Sequence, residues 1–116
     1  MSLKNILIVS SDLARSKQFY HDVFGLNVIR EFEGNMILSE GLVLQERKTW
    51  EAYIGESTVT GNASELFFEE NNFDAFLDAL EKYPGLRLTE VQENAWGKRS
   101  LRLKDPDGNL IEVAEQ

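Results

Sequence analysis

A chain of 116 residues with 42% hydrophobic and 28% charged side chains has the balance of one soluble globular domain. It contains no cysteine, which excludes disulfides and thiolate metal sites, and no apolar run near the ~20 residues of a membrane span. Twenty acidic residues against twelve basic ones give a net charge of −8; that field repels phosphate backbones, so nucleic acid is not expected as a partner, and without a long apolar run neither is a membrane.

The opening Met1-Ser2-Leu3-Lys4-Asn5 has no signal-peptide layout, and a cytoplasmic location is the expectation. Asn5-Ile6-Leu7-Ile8-Val9 reads as a short apolar strand. Ser11 and Asp12 offer N-cap chemistry. Leu13, Ser16, Phe19, Tyr20, Val23 and Phe24 then recur at helical spacing up to a stop at Gly25. Three strands follow, at Leu26 to Phe32, Asn35 to Leu38 and Leu42 to Glu46, parted by Glu33-Gly34 and Glu40-Gly41. Residues 47–63 form a polar connector carrying Gly55, Gly61 and Asn62. Its Trp50, Tyr53 and Ile54 are too apolar for a solvated linker, so it is expected to fold over the partner half or a ligand.

The plan then repeats sixty positions on. Glu65-Leu66-Phe67-Phe68-Glu69 is a strand and Asn71 and Asn72 supply a cap. Phe73, Phe76, Leu77, Leu80 and Tyr83 form the helical stripe that Pro84-Gly85 ends. Asn5 pairs with Glu65, Asp12 with Asn72 and Gly25 with Gly85, a constant offset that argues for duplication. Strands at Leu86 to Val91, Arg99 to Lys104 and Asn109 to Ala114 complete the second copy. Between the last two, Asp105-Pro106-Asp107-Gly108 is a hairpin turn, with Pro at its second position and Gly at its fourth. The organisation is therefore one domain, 1–116: module one at 1–46, the connector at 47–63 and module two at 64–116.

Two tandem βαβββ modules, with the helix segment Ser11 to Tyr20 early and Asp105-Pro106-Asp107-Gly108-Asn109-Leu110-Ile111-Glu112-Val113 at the end, resemble the vicinal oxygen chelate superfamily. This is the group of glyoxalase I, extradiol dioxygenases and bleomycin-binding proteins, and the resemblance spans the whole chain. It implies an α+β fold whose curved mixed sheets surround a cavity. It also implies one divalent ion held from the first and last strands of each module. Carried onto this sequence, the metal positions are Asn5, Gln45, Glu65 and Glu112; a slip of one residue would turn Leu44 inward in place of Gln45. The family usually has His at one or both first-strand positions, where this chain has Asn5 and Glu65. The only histidine, His21, falls on the helix. An all-oxygen set suits Mg²⁺ or Mn²⁺ better than Zn²⁺ or Ni²⁺.

Period-2 alternation puts Asn5, Leu7 and Val9 on one strand face, and Glu65, Phe67 and Glu69 on the matching face of its repeat; Ile6, Ile8, Leu66 and Phe68 face the helices. Glu112 shares its face with Leu110 and Ala114. Glu65 and Glu112 are the candidate catalytic pair. A carboxylate within an apolar strand must be hydrated, paired (Arg99 and Arg47 are the candidate partners) or metal-bound. Without metal, one of the two could act as general base. Phe67, Trp96, Trp50, Tyr53 and Arg99 are the candidate ligand pocket, to be weighed against ordinary packing or a dimer interface. No serine or threonine has a histidine partner to make it a nucleophile.

Two functions stay open on these residues. One is a divalent-metal-dependent lyase, isomerase or dioxygenase-type enzyme that binds a small molecule between the modules. The other is a metal-free protein that sequesters a drug or antibiotic, to which the missing histidines, the aromatics and the negative charge lean. Either is expected to work as a homodimer, because curled sheets from so short a chain leave edges and apolar rims open.

Overall fold

The computed structural model describes residues 1–59 and 63–116. The connector residues Thr60, Gly61 and Asn62 lie outside the described residues. The chain divides into two compact units, Met1–Val59 and Thr60–Gln116.

In the first unit, β1 (Ile6–Ser10) leads into α1 (Leu13–Phe24), followed by β2 (Val28–Phe32), β3 (Asn35–Leu38) and β4 (Leu42–Glu46). The sheet order is β1-β4-β3-β2, with β1 parallel to β4 and the other pairs antiparallel. Asp12 caps α1 by accepting the Arg15 N–H at 3.1 Å. At the other end Gly25 adopts φ +68°, a left-handed conformation that β-carbons resist, and its N–H closes the last turn onto the His21 carbonyl. The face of α1 carrying Ser16, Phe19, Tyr20 and Val23 is buried. So are Met36, Leu38, Leu42 and Leu44, the matching apolar row of β3 and β4. Each such aliphatic side chain withdrawn from water contributes about 1.5–3 kcal/mol, enough together to fix which face of the sheet the helix covers.

The connector is no linker. Arg47–Ile54 forms a helix, α2, closed by Gly55 at φ +73°. The Gln45 side chain ties it to the sheet, donating to Thr49 Oγ1 at 2.6 Å.

The second unit repeats the plan with β5 (Leu66–Glu70), α3 (Phe73–Leu80), β6 (Gln92–Glu93), β7 (Arg99–Lys104) and β8 (Leu110–Glu115), ordered β5-β8-β7-β6. Asn72 caps α3 by accepting the Ala75 N–H. Phe73, Phe76 and Leu80 are buried, as are Leu101, Leu103, Ile111 and Val113. The helix ends earlier than its stripe predicts. After Leu80 the bonds tighten to the i→i+3 type, with Tyr83 N–H on the Leu80 carbonyl, because the residue before Pro84 is barred from helical backbone.

The strand expected at Leu86 to Val91 is the clear departure. Leu88 and Thr89 both donate their N–H to the one carbonyl of Arg102, at 2.9 and 3.1 Å. Two residues thus oppose one, a bulge that interrupts the ladder. Only Arg87 bridges Leu103 there, and regular pairing resumes in the two-residue β6. The β7–β8 hairpin follows its sequence signature. Asp105, 2% exposed, accepts from the Asp107 and Asn109 N–H groups at 2.9 Å each and from Asn109 Nδ2 at 2.7 Å. Among the described residues no helix is long and apolar enough to cross a membrane.

Candidate functional site

In the second unit the strand register builds a row across the sheet face that α3 does not cover. Phe67 of β5 lies opposite Glu112 of β8, and Glu112 lies opposite Arg102 of β7. Side chains at paired positions point to the same side. Glu65, just ahead of β5, joins them through its side chain: Arg102 Nε donates to Glu65 Oε2 at 2.8 Å, and Arg102 Nη2 lies 3.2 Å from Glu112 Oε2. The two carboxylates are therefore joined through the guanidinium placed between them. The hydrogen bond donated to Glu65, then the charge of Glu112, push the Arg102 pKa up. Beside this triad the Phe67 ring is 57% exposed.

Arg99 lies on the opposite side. It reaches Asp74 of α3 at 2.8 Å and Glu115 at 2.9 Å, and sits 4.9 Å from the Phe73 ring centroid. The Arg99 hydrogen bond holds the Glu115 carboxyl below its usual range. Arg99 is thus part of the packing between helix and sheet, and it does not meet Glu65, Phe67 or Glu112. Trp96 is exposed in the turn between β6 and β7.

In the first unit, Gln45 is buried, with both ends of its amide hydrogen-bonded. Its Oε1 accepts from Asn35 Nδ2 at 2.7 Å, while its Nε2 donates to Thr49. Asn5 is exposed ahead of β1. On α2, Trp50 is half-buried and Tyr53 exposed.

The register also resets the correspondence between modules. Leu7 opposes Val43, as Phe67 opposes Glu112. With Leu7 and Phe67 sixty residues apart, the counterpart of Glu112 is Val43. Gln45, opposite Val9, answers to Ala114, opposite Glu69. Gln45 does keep the face assigned to it, but sits two residues further along its strand. By the same rule Ile37, opposite Val43, is the counterpart of Arg102, opposite Glu112.

Arg102 is the site residue that sequence reasoning passed over, and a usable signal existed. In Arg99-Ser100-Leu101-Arg102-Leu103, the buried Leu101 and Leu103 put Arg102 on the Glu112 face and Arg99 on the other.

A family model described as the Glyoxalase-like domain matches residues 3–116. The chain belongs to that family. Among solved structures, a protein of unknown function from Agrobacterium tumefaciens str. C58 is similar at 29% identity and TM-score 0.86, over 100% of this chain and 94% of that one. A glyoxalase/bleomycin resistance protein/dioxygenase family enzyme from Burkholderia phytofirmans PsJN matches at 17% identity and TM-score 0.82, over 97% and 96%. A lactoylglutathione lyase from Agrobacterium tumefaciens matches at 21% identity and TM-score 0.71, over 98% and 92%. Among curated proteins there is no significant match. The superfamily read from the repeat and the closing turn is the one found, and the fold is its α+β arrangement of two mixed four-stranded sheets.

The donor set of this glyoxalase-like chain does not fit a divalent ion as it stands. Glu65 and Glu112 are engaged by a cation of the protein's own, and the Gln45 oxygen accepts from Asn35. Among the described residues no group of three or more His, Cys, Asp or Glu side chains could hold a metal.

Proposed function

We propose that this glyoxalase-like protein binds a small molecule without a metal, on the open sheet face of its second module. The observation that carries this reading is Arg102 between Glu65 and Glu112, the carboxylates the family resemblance makes metal ligands. An arginine remains charged at every physiological pH and cannot ligate a metal, so a divalent ion would have to displace it from two carboxylates at once. The exposed Phe67 ring next to the triad gives an apolar ligand a surface to stack on. The reading is of the sequestering type rather than the metal-dependent enzyme type.

The test is elemental analysis of the purified protein, followed by calorimetric titration with Mn²⁺. Wild type should carry no stoichiometric metal and take up none. One tightly held ion, lost in both Glu65→Gln and Glu112→Gln, would restore the lyase or isomerase reading.

The protein is further proposed to act as a homodimer. Ile29 and Phe32 on the edge strand β2 are 67% and 52% exposed, an apolar edge of the kind a second copy covers. A monomer by light scattering at micromolar concentration would remove that proposal.

A further inference from the structure

The internal repeat supplies a control for the triad. The first module builds the same sheet with Leu7, Val43 and Ile37 at the positions of Phe67, Glu112 and Arg102. The scaffold is therefore satisfied by hydrocarbon there, and the charges of the second module are not a requirement of the fold. Ion pairs with this much exposure also contribute little stability. The charged row calls for a role outside folding.

The geometry of Arg102 narrows that role. A guanidinium has a side edge (Nε and Nη2) and an outer fork (Nη1 and the second Nη2 proton). Glu65 takes the Nε proton of the side edge, and Glu112 Oε2 lies 3.2 Å from Nη2 as a charge contact. Among the described residues nothing takes the Nη1 protons, and the side chain is 40% exposed. The backbone is pinned as well. Arg102 N–H donates to Thr89 Oγ1 at 3.0 Å, and its carbonyl accepts from both Leu88 and Thr89. The bulge that breaks the expected strand thus holds Arg102 in place. A braced fork of this kind loses little rotamer freedom when a ligand docks, which is the condition for a specific hydrogen-bonding group.

Resting on the metal-independent reading above, we propose that the outer fork of Arg102 is the ligand-recognising group. Its ligand class is uncharged, planar molecules with two adjacent acceptor oxygens, lying against Phe67. Planarity and the paired acceptors follow from the ring and the fork. The lack of charge follows from the braces. Two carboxylates outweigh one guanidinium, so the triad carries a net negative charge. An anion on the fork would gain one attraction and meet two repulsions only slightly further away.

The experiment is calorimetry in EDTA with three flat probes: isatin (uncharged, two adjacent carbonyls), 2-naphthoate (anionic) and proflavine (cationic). Wild type should bind isatin more tightly than 2-naphthoate. Arg102→Lys keeps the charge but not the fork, and should weaken isatin by about tenfold or more, the loss expected for one of two hydrogen bonds to a charged group. Its circular-dichroism melt should remain cooperative. If that variant does not fold, guanidinium NMR of wild type decides, because the Arg102 Nη1 protons must shift on addition of isatin. Isatin binding unchanged in Arg102→Lys, tighter binding of 2-naphthoate, or no isatin binding would each overturn the fork assignment. Proflavine binding that survives Arg102→Lys but is lost in Phe67→Ala, with isatin inert, would do so while leaving metal-free binding standing. Binding abolished by EDTA and restored by Mn²⁺ would overturn both.

Discussion

Asp105→Ala is the substitution that most directly tests how the second module holds its site together. The residue is 2% exposed, and its carboxylate accepts hydrogen bonds from the Asp107 and Asn109 N–H groups and from Asn109 Nδ2. Removing it leaves two backbone donors and one amide without their acceptor in a partly buried turn. Each orphaned group costs about 1–3 kcal/mol, less where water can enter. With access for water on the turn's outer side, a total of about 3–4 kcal/mol is expected. For a domain of this size about 1 kcal/mol moves the melting temperature by ~4 °C or more, so the loss should exceed about 10 °C. That is a large part of the ~5–15 kcal/mol that stabilises a typical domain. Asp105→Asn keeps one acceptor for the two backbone donors but turns an amide NH₂ toward Asn109 Nδ2, so it should fall between wild type and Ala. The turn also sets the β7–β8 register that brings Arg102 opposite Glu112. Guanidinium NMR should therefore show Arg102 less restrained in Asp105→Ala even well below its melting point. Urea denaturation of the three proteins, monitored by circular dichroism, gives the stabilities. A loss under about 1 kcal/mol in Asp105→Ala would refute the reasoning, since it would mean that the turn forms without its acceptor.

Two further predictions rest on different parts of the fold. The Glu115 carboxyl, held below the usual glutamate range by its hydrogen bonds with Arg99, contributes stability that is fully present above that usual range and is lost as pH falls through the lowered folded value. Thermal melts from pH 6 to 3 should show that acid-side loss in wild type, and a flatter profile in Arg99→Gln; identical profiles would sink the assignment. Leu44 is fully enclosed on the face of β4 that meets α1, so Leu44→Ala should cost about 2–5 kcal/mol in urea titrations. A cost below about 1 kcal/mol would mean that the first unit's core is not where its buried residues place it.

The local chemistry of this chain determined most of its element plan. Asp12 and Gly25 bound α1 because a side-chain acceptor and a residue tolerant of positive φ are needed at a helix's two ends, and nearby residues supply both. Asp105 to Gly108 marked the last hairpin for the same reason: a turn's requirements are met within four residues. The sixty-residue repeat and the faces of β1 and β5 also follow from period and spacing, whereas the choice of Glu65 and Glu112 together came from the family resemblance. The partners across strands followed from neither. Gln45 looked like the counterpart of Glu112 when turns were aligned, yet β4 and β8 pair with their first strands two residues out of that alignment. Register is settled by which residues bury against the helix, here Leu42 and Leu44 against Ile111 and Val113. The loss of the Leu86 to Val91 strand depends on two amides meeting one carbonyl 13 or 14 residues away, which no local pattern encodes. The pairing of both carboxylates with Arg102 rather than with Arg99 was decided by the pleat of β7. Arg99 and Arg102 lie three residues apart, an odd separation, so they project from opposite faces of the sheet, and only Arg102 meets the acids.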